Sequence, residues 1–136
     1  MSNKIGKIDI SQLNTPPEEH ELETAKYFAS RGKTIIFLKP SDIPNTHTPD
    51  IIIDGIEWEM KCPLGNSKRT IETNIRQAVK QSHHIIIDLR RIKVPEKVCL
   101  AQLEKLFYSR KDIRKLLIIK KNQELIEYPP KKLTFS

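Results

Sequence analysis

The sequence predicts an α/β domain in which helices cover both faces of a mixed β-sheet. Short runs of aliphatic residues, such as residues 85–89, alternate with segments whose apolar residues recur at helical spacing. The dipeptide Asp54-Gly55 is typical of a tight hairpin turn, so the sheet contains at least one antiparallel pair. The chain has 136 residues, 38% of them hydrophobic, which suffices for one core. Helices interleaved with apolar strands indicate one layered domain.

The N-terminal part of the chain divides into a lead-in and a first helix. Residues 1–17 are polar, and we expect a flexible lead-in with a short strand at residues 8–10. Residues 18–136 are predicted to form a single domain. The first helix is expected from about residue 17 to 30, with Thr15 as its N-cap and Gly32 as its C-terminal stop.

The other elements follow from the same two periodicities. A strand is predicted at residues 34–38 and a hairpin at residues 50–61. Further strands are predicted at 85–89, 116–120 and 124–128, and helices at about 69–81 and 95–108. The predicted order is α-β-β-β-α-β-α-β-β.

Charge is distributed unevenly along the chain. Residues 1–60 hold 6 Lys/Arg and 10 Asp/Glu, a net charge of −4, whereas residues 61–136 hold 18 and 7, a net charge of +11. A strongly basic half favours a polyanionic partner, although many basic surfaces bind nothing specific. The basic side chains expected to contact phosphate, as a group, are Arg90, Arg91, Lys93, Arg110, Lys111, Arg114 and Lys115. The two cysteines lack CxxC spacing, which argues against a structural zinc site.

Acidic and basic side chains converge on the predicted hairpin. Asp50 begins its first strand, and Glu59 and Lys61 share one face of its second strand with Glu57. Two carboxylates suit Mg²⁺, and a neighbouring lysine can orient a water or stabilise developing charge. Glu21 on the first helix is the candidate for a third carboxylate. The competing interpretation is an ordinary Glu59–Lys61 ion pair on the surface of the hairpin.

The pattern Pro49-Asp50, then Glu59-Met60-Lys61, resembles the PD-(D/E)xK nuclease motif. The preceding helix resembles the first core helix of that superfamily. Archaeal Holliday-junction resolvases place a glutamate at the same distance before the glycine that ends this helix as Glu21 lies before Gly32. The resemblance implies a restriction-endonuclease-like core (αβββαβ), here with an added helix and a C-terminal hairpin. It implies catalytic roles for Glu21, Asp50, Glu59 and Lys61, with Asp50, Glu59 and Glu21 binding Mg²⁺ or Mn²⁺.

A second resemblance extends from Thr48 to Leu89. This stretch is similar to the C-terminal toxin domains of CdiA-type contact-dependent growth inhibition proteins. The resemblance implies a secreted or cell-surface toxin that cleaves tRNA in the cytoplasm of a target cell and is countered by a cognate immunity protein. A stand-alone nuclease would instead be cytoplasmic. No stretch approaches the roughly 20 apolar residues of a membrane span, so we expect no membrane association of this domain.

Candidate substrate-binding residues lie beyond the motif. Gln77 and Gln81 stand one turn apart on the predicted second helix, where nuclease relatives often carry a substrate-binding glutamine. Lys68 and Arg69 at the start of that helix can contact phosphate. Solvated side chains are an equal alternative for all four. His83 and His84 are assigned a structural role at the start of a strand, because a metal site with a lysine requires no histidine.

The sequence therefore indicates a metal-dependent nuclease, with RNA as its substrate. Two alternatives stay open. One is a DNA endonuclease of the resolvase or restriction type, and the other is a non-catalytic nucleic-acid-binding module.

Overall fold

The structure, a computed structural model, describes residues 5–131 and confirms the predicted α/β class and element order. The elements are β1 (Ile8–Asp9), α1 (Glu19–Ala29), β2 (Ile35–Phe37), β3 (Ile51–Ile53), β4 (Ile56–Lys61), α2 (Thr70–Ala78), β5 (His84–Asp88), α3 (Glu96–Ser109), β6 (Lys115–Ile119) and β7 (Leu125–Tyr128).

All seven strands form one mixed sheet in the order of the sequence. Strands β2, β3 and β4 form an antiparallel meander, β4, β5 and β6 are parallel, and β7 is antiparallel to β6. Parallel neighbours require a crossover, and α2 and α3 supply the two crossovers between β4 and β6. Helices α2 and α3 pack on one face of β5 and β6, whereas α1 packs on the opposite face.

The hairpin between β3 and β4 has the predicted tight turn. Asp54 and Gly55 have φ angles of 52° and 78°, the left-handed backbone that this dipeptide tolerates. The turn fixes the register in which Ile53 pairs with Ile56. Trp58 is 5% exposed and lies in the core with Met60, as the alternation predicts, and Glu57 is exposed. The same register therefore turns Glu59 towards the opposite face from Trp58.

The start of α1 differs from the prediction. Thr15 is not the N-cap: α1 begins at Glu19, and Glu18 occupies the cap position with extended backbone. The two prolines lie before the helix instead of in its first turn, because a residue preceding proline is restricted to extended conformations. The Glu21 carboxylate accepts a hydrogen bond from the backbone N–H of Glu18 at 3.1 Å, which stabilises the later start.

Part of the predicted lead-in is hydrogen-bonded to the domain. Strand β1 pairs in parallel with β2 through Ile8 and Ile35, and the Gly6 N–H donates to the Ala29 carbonyl at 2.7 Å. A Cβ on Gly6 would collide with the Lys33 backbone, so this close approach requires glycine. The short strand expected at residues 8–10 is thus observed at residues 8–9.

Candidate active site

A pocket of about 300 Å³ lies at the carboxyl end of β4. The three hairpin residues Asp50, Glu59 and Lys61 and the helix residue Glu21 all line it, so the structure brings together the four side chains assigned catalytic roles by the sequence. Helices from both faces of the sheet meet at this edge. The remaining lining residues are Glu18, His20, Met60, Cys62 and Asn74.

Asp50 is held in place by the backbone of the hairpin. Its Oδ2 accepts a hydrogen bond from the Met60 N–H at 2.9 Å, and its own N–H donates to the Trp58 carbonyl at 3.0 Å. The residue follows the 39–48 loop, and these two bonds anchor its backbone and its carboxylate to β4. The carboxylate consequently lies close enough to Glu59 to affect the ionisation of that side chain.

Glu59 is the most perturbed acidic group of the site. It is only 4% exposed, which distinguishes it from a member of an ordinary surface ion pair. Burial, and then the adjacent Asp50 carboxylate, raise the pKa of Glu59 to about 8, against the opposing effect of Lys61. Lys61 Nζ lies 3.5 Å from Glu59 Oε2, and Glu59 Oε1 is buried with no hydrogen-bond partner among the described residues.

Glu21 reaches the pocket but is engaged at the end of its own helix. One carboxylate oxygen accepts from the Glu18 N–H. The potential ligand atoms of Glu18, His20 and Glu21 lie within 4.8 Å of one another, and within residues 5–131 this is the one group of three with that spacing. Glu21, Asp50 and Glu59 do not form such a group, so binding one ion with all three would require at least one of these side chains to move. The assignment of Glu21 as a metal ligand stays a prediction.

The donor set fits a hard divalent cation. Asp50 and Glu59 offer carboxylate oxygens, which Mg²⁺ and Mn²⁺ prefer over nitrogen or sulfur. The unpartnered Oε1 of Glu59 is an acceptor in need of a positive partner. Cys62, the nearest soft ligand, keeps its proton: burial raises the pKa of its thiol to about 11.

The four candidate substrate-binding residues lie away from this pocket. Gln77 is exposed on α2, and Lys68 and Arg69 are exposed just before it. Gln81 does not lie on the helix as expected, because α2 ends at Ala78 and a turn carries the chain into β5. Gln81 lines a separate surface cavity. Their proposed substrate contacts stay predictions.

The structure adds neighbours that the sequence did not single out as site residues. Asn74 of α2 lines the pocket in place of Gln77, and its side-chain amide donates to the Thr70 carbonyl at 2.8 Å. His20 lines it from α1. One sequence signal could have indicated Asn74: it precedes Ile75, which the helical pattern predicts to be buried, so it lies at the border of the face that packs on the sheet.

His83 and His84 have structural contacts. His83 Nδ1 lies 2.8 Å from the Asp112 carbonyl oxygen, and the ring of His84 packs edge-on against Trp58. Burial lowers the pKa of His84, with Lys115 adding to the effect. Both residues lie at the start of β5, at the opposite end of the sheet from Lys61.

The fold and pocket define a mixed α/β domain with a buried acidic centre at a strand end. The family model of the contact-dependent growth inhibition CdiA C-terminal domain matches residues 46–125, and the chain belongs to this family of toxin domains. Its fold is similar to a solved structure from Burkholderia pseudomallei, a CdiA-CT/CdiI toxin and immunity complex. The TM-score is 0.65 and the identity 20%, over 92% of this chain and all of that one. No curated protein matches the sequence.

Among residues 5–131, no helix combines the length and the apolar character needed to span a lipid bilayer.

Proposed function

We propose that this domain is a metal-dependent nuclease, that its substrate is RNA, specifically tRNA, and that Asp50, Glu59 and Lys61 form its active centre. The observation that carries the proposal is the buried Glu59 carboxyl beside Asp50: its Oε2 lies 3.5 Å from Lys61 Nζ, and its Oε1 has no hydrogen-bond partner among the described residues. An acidic pair kept in a partly desolvated pocket beside a lysine is costly for folding and suited to catalysis.

The roles follow from position and charge. Asp50 and Glu59 would hold Mg²⁺ or Mn²⁺, with Glu21 as a further ligand after a movement of its side chain towards them. A bound divalent ion supplies a more acidic water and neutralises charge on a phosphate. Lys61, 23% exposed, lies at the opening of the pocket, where its ammonium can hold the attacking water or the phosphate oxygens.

Polynucleotide as the substrate is supported by charge. The acidic centre alone would repel a polyanion, and the net charge of +11 over residues 61–136 compensates for that repulsion. RNA is favoured over DNA by the likeness of residues 48–89 to tRNA-cleaving toxins and by membership of the CdiA toxin family.

A cognate immunity protein is proposed as the partner. The structurally similar protein was solved as a toxin and immunity complex, and family membership supports the same arrangement here. In this proposal the domain belongs to a cell-surface toxin and acts in the cytoplasm of the target cell, where tRNA and Mg²⁺ are available.

Cleavage assays with matched variants test the proposal. Total tRNA and a plasmid are each incubated with the protein, with Mg²⁺ or with a chelator, and the products are separated by electrophoresis. We expect tRNA cleavage that requires metal and is abolished by Glu59→Gln. Glu57→Gln is the matched control, since it makes the same exchange two residues earlier on an exposed part of β4. Cleavage of the plasmid alone would reject RNA, and full activity of Glu59→Gln would reject the site.

A further inference from the structure

A second cavity, of about 490 Å³, lies beside the candidate active site. It is formed by the first turns of α1 and the chain that follows β5. His20 lines both cavities, so the two are neighbours along the same edge of the sheet. Its lining residues are Glu19, His20, Glu23, Asp88, Arg90 and Arg91.

One side of this cavity is fixed by a buried carboxylate. Asp88 is 3% exposed and accepts hydrogen bonds from Thr24 Oγ1 at 2.7 Å and from Arg90 Nη2 at 2.8 Å. Arg90 Nη2 also donates to the Glu23 carbonyl at 3.1 Å. The charges of Asp88 and Arg90 therefore offset each other, and the pair forms a rigid wall between β5 and α1.

The charge of Arg91 is not offset by a carboxylate of the described residues in the way that Asp88 offsets Arg90. Arg91 Nη1 is buried and has no hydrogen-bond partner among the described residues. A guanidinium remains charged at any physiological pH, and a buried donor without an acceptor is unfavourable. The other two carboxylates at the cavity, those of Glu19 and Glu23, are exposed at its rim. Glu23 Oε1 lies 3.4 Å from Lys26 Nζ. Arg91 lines the cavity and forms no ion pair within residues 5–131, so its positive charge would be satisfied by an oxyanion bound there, and phosphate matches the geometry of a guanidinium.

The sheet places this donor one strand away from the acidic centre. Lys61 on β4 is in register with Ile87 on β5, and Arg91 follows shortly after that strand ends. Adjacent strands are about 4.8 Å apart. A polynucleotide that binds one phosphate at Lys61 can therefore extend along this edge of the sheet to the second cavity.

The group of basic residues expected from the sequence is divided between two edges. Arg90, Arg91 and Lys93 follow the carboxyl end of β5, whereas Arg110, Lys111, Arg114 and Lys115 precede or begin β6, which is parallel to β5. Five strand residues at about 3.3 Å each separate the two sets by roughly 16 Å. Only the first set adjoins the candidate active site.

We propose that Arg91 binds the phosphate that neighbours the cleaved phosphate in the polynucleotide substrate, with the Asp88–Arg90 pair as the fixed wall of the subsite. This inference rests on the proposed nuclease function and adds the direction in which the bound polynucleotide crosses the active site. The glutamates at the rim repel further phosphates, so the subsite takes a single one.

Binding measurements on an inactive chain test the subsite. In the Glu59→Gln background and with chelator present, the affinity for fluorescently labelled tRNA is measured over a range of salt concentrations by anisotropy. Adding Arg91→Gln is expected to weaken binding about tenfold and to lower the slope of log affinity against log salt by about 1. Arg114→Gln removes the same charge from the set at the opposite edge, and we expect it to weaken binding less and to lower the slope less than Arg91→Gln does.

The outcomes separate the subsite from the nuclease assignment. If the wild-type protein cleaves tRNA but the two variants give equal slopes, the subsite alone is overturned. If Arg91→Gln lowers the slope more than Arg114→Gln but the wild-type protein cleaves neither tRNA nor plasmid, phosphate binding by Arg91 is supported and the proposed function is overturned. If Arg91→Gln fails to fold, side-chain NMR of the arginines in the Glu59→Gln protein tests instead whether Arg91 binds phosphate. Titration with inorganic phosphate should shift Arg91 and not Arg114, and a stationary Arg91 signal would reject the subsite.

Discussion

Exchanging Glu59 for glutamine should stabilise the metal-free protein by an amount that grows with pH. With its pKa raised to about 8, the native Glu59 carboxyl is protonated at neutral pH and is already neutral. Glutamine has nearly the same shape and is neutral at every pH, and its amide can donate a hydrogen bond to the Asp50 carboxylate. We therefore expect Glu59→Gln to fold normally and to resist unfolding better than the wild type at pH 8.

The sign and size follow from the linkage between protonation and folding. Below about pH 4.5 the carboxyl is protonated in both states, whereas between 4.5 and 8 only the unfolded state ionises. Wild-type stability therefore falls as pH rises through this window and levels off above it. The rise from 4.5 to about 8, at about 1.4 kcal/mol per pH unit, amounts to roughly 5 kcal/mol. Relaxation of the surroundings and entry of water lower the cost of ionising a buried carboxyl, so we expect about half of this, roughly 2 to 3 kcal/mol.

Urea unfolding in chelator at several pH values between 5 and 9 measures this difference. The free energy of unfolding of Glu59→Gln minus that of the wild type should increase up to pH 8 and then stay constant. Glu57→Gln, on the exposed part of the same strand, should show no such trend. A difference that is constant with pH, or that favours the wild type at pH 8, would mean that Glu59 is ionised and paired with Lys61, and would refute the reasoning.

Three further predictions concern the metal, the lysine and the wall of the second cavity. Mg²⁺ or Mn²⁺ at 100 times its Kd should raise the free energy of unfolding of the wild type by about 2.7 kcal/mol in thermal unfolding, and that of Glu59→Gln by nothing. Lys61→Met removes the charge that opposes the raised pKa of Glu59, so the acidic limb of the pH–activity profile should move to higher pH and the rate should fall about 100-fold or more. Thr24→Val deletes the buried hydrogen bond to Asp88 and should cost about 1 to 3 kcal/mol in urea unfolding, with Thr24→Ser retaining most of it.

Local sequence signals predicted most of the fold because they act over a few residues. The Asp54-Gly55 turn sets the hairpin register, and that register alone determines that Trp58 is buried in the core and Glu59 faces the other way. The start of α1 was predicted wrongly because two local preferences compete there. Thr15 is a good cap by type, but Glu21 captures the Glu18 N–H, and the prolines keep the preceding chain extended.

The surroundings of the site depended on long-range packing that no local signal contains. Asn74 and Gln77 lie on one flank of α2, and only the position of the helix against β4 decides that Asn74 reaches the pocket. Likewise, Thr24 and Asp88 are 64 residues apart, and their hydrogen bond exists only because α1 crosses the end of β5. The sequence indicated Arg91 only as one of several basic residues, because its position beside the first turns of α1 also depends on long-range packing.

Burial of Glu59 connects the stability of the domain to its proposed chemistry. The register that buries Glu59 also places it against Asp50. Burial and the neighbouring carboxylate together raise the pKa of Glu59, so its carboxyl is protonated at neutral pH when no metal is bound. A divalent cation must displace that proton, so metal affinity should rise about tenfold per pH unit below 8. Two carboxylates on an exposed hairpin would bind the ion without this proton competition. In the buried pocket, the ion instead replaces the proton that keeps Glu59 neutral and gives its unpartnered Oε1 a positive partner.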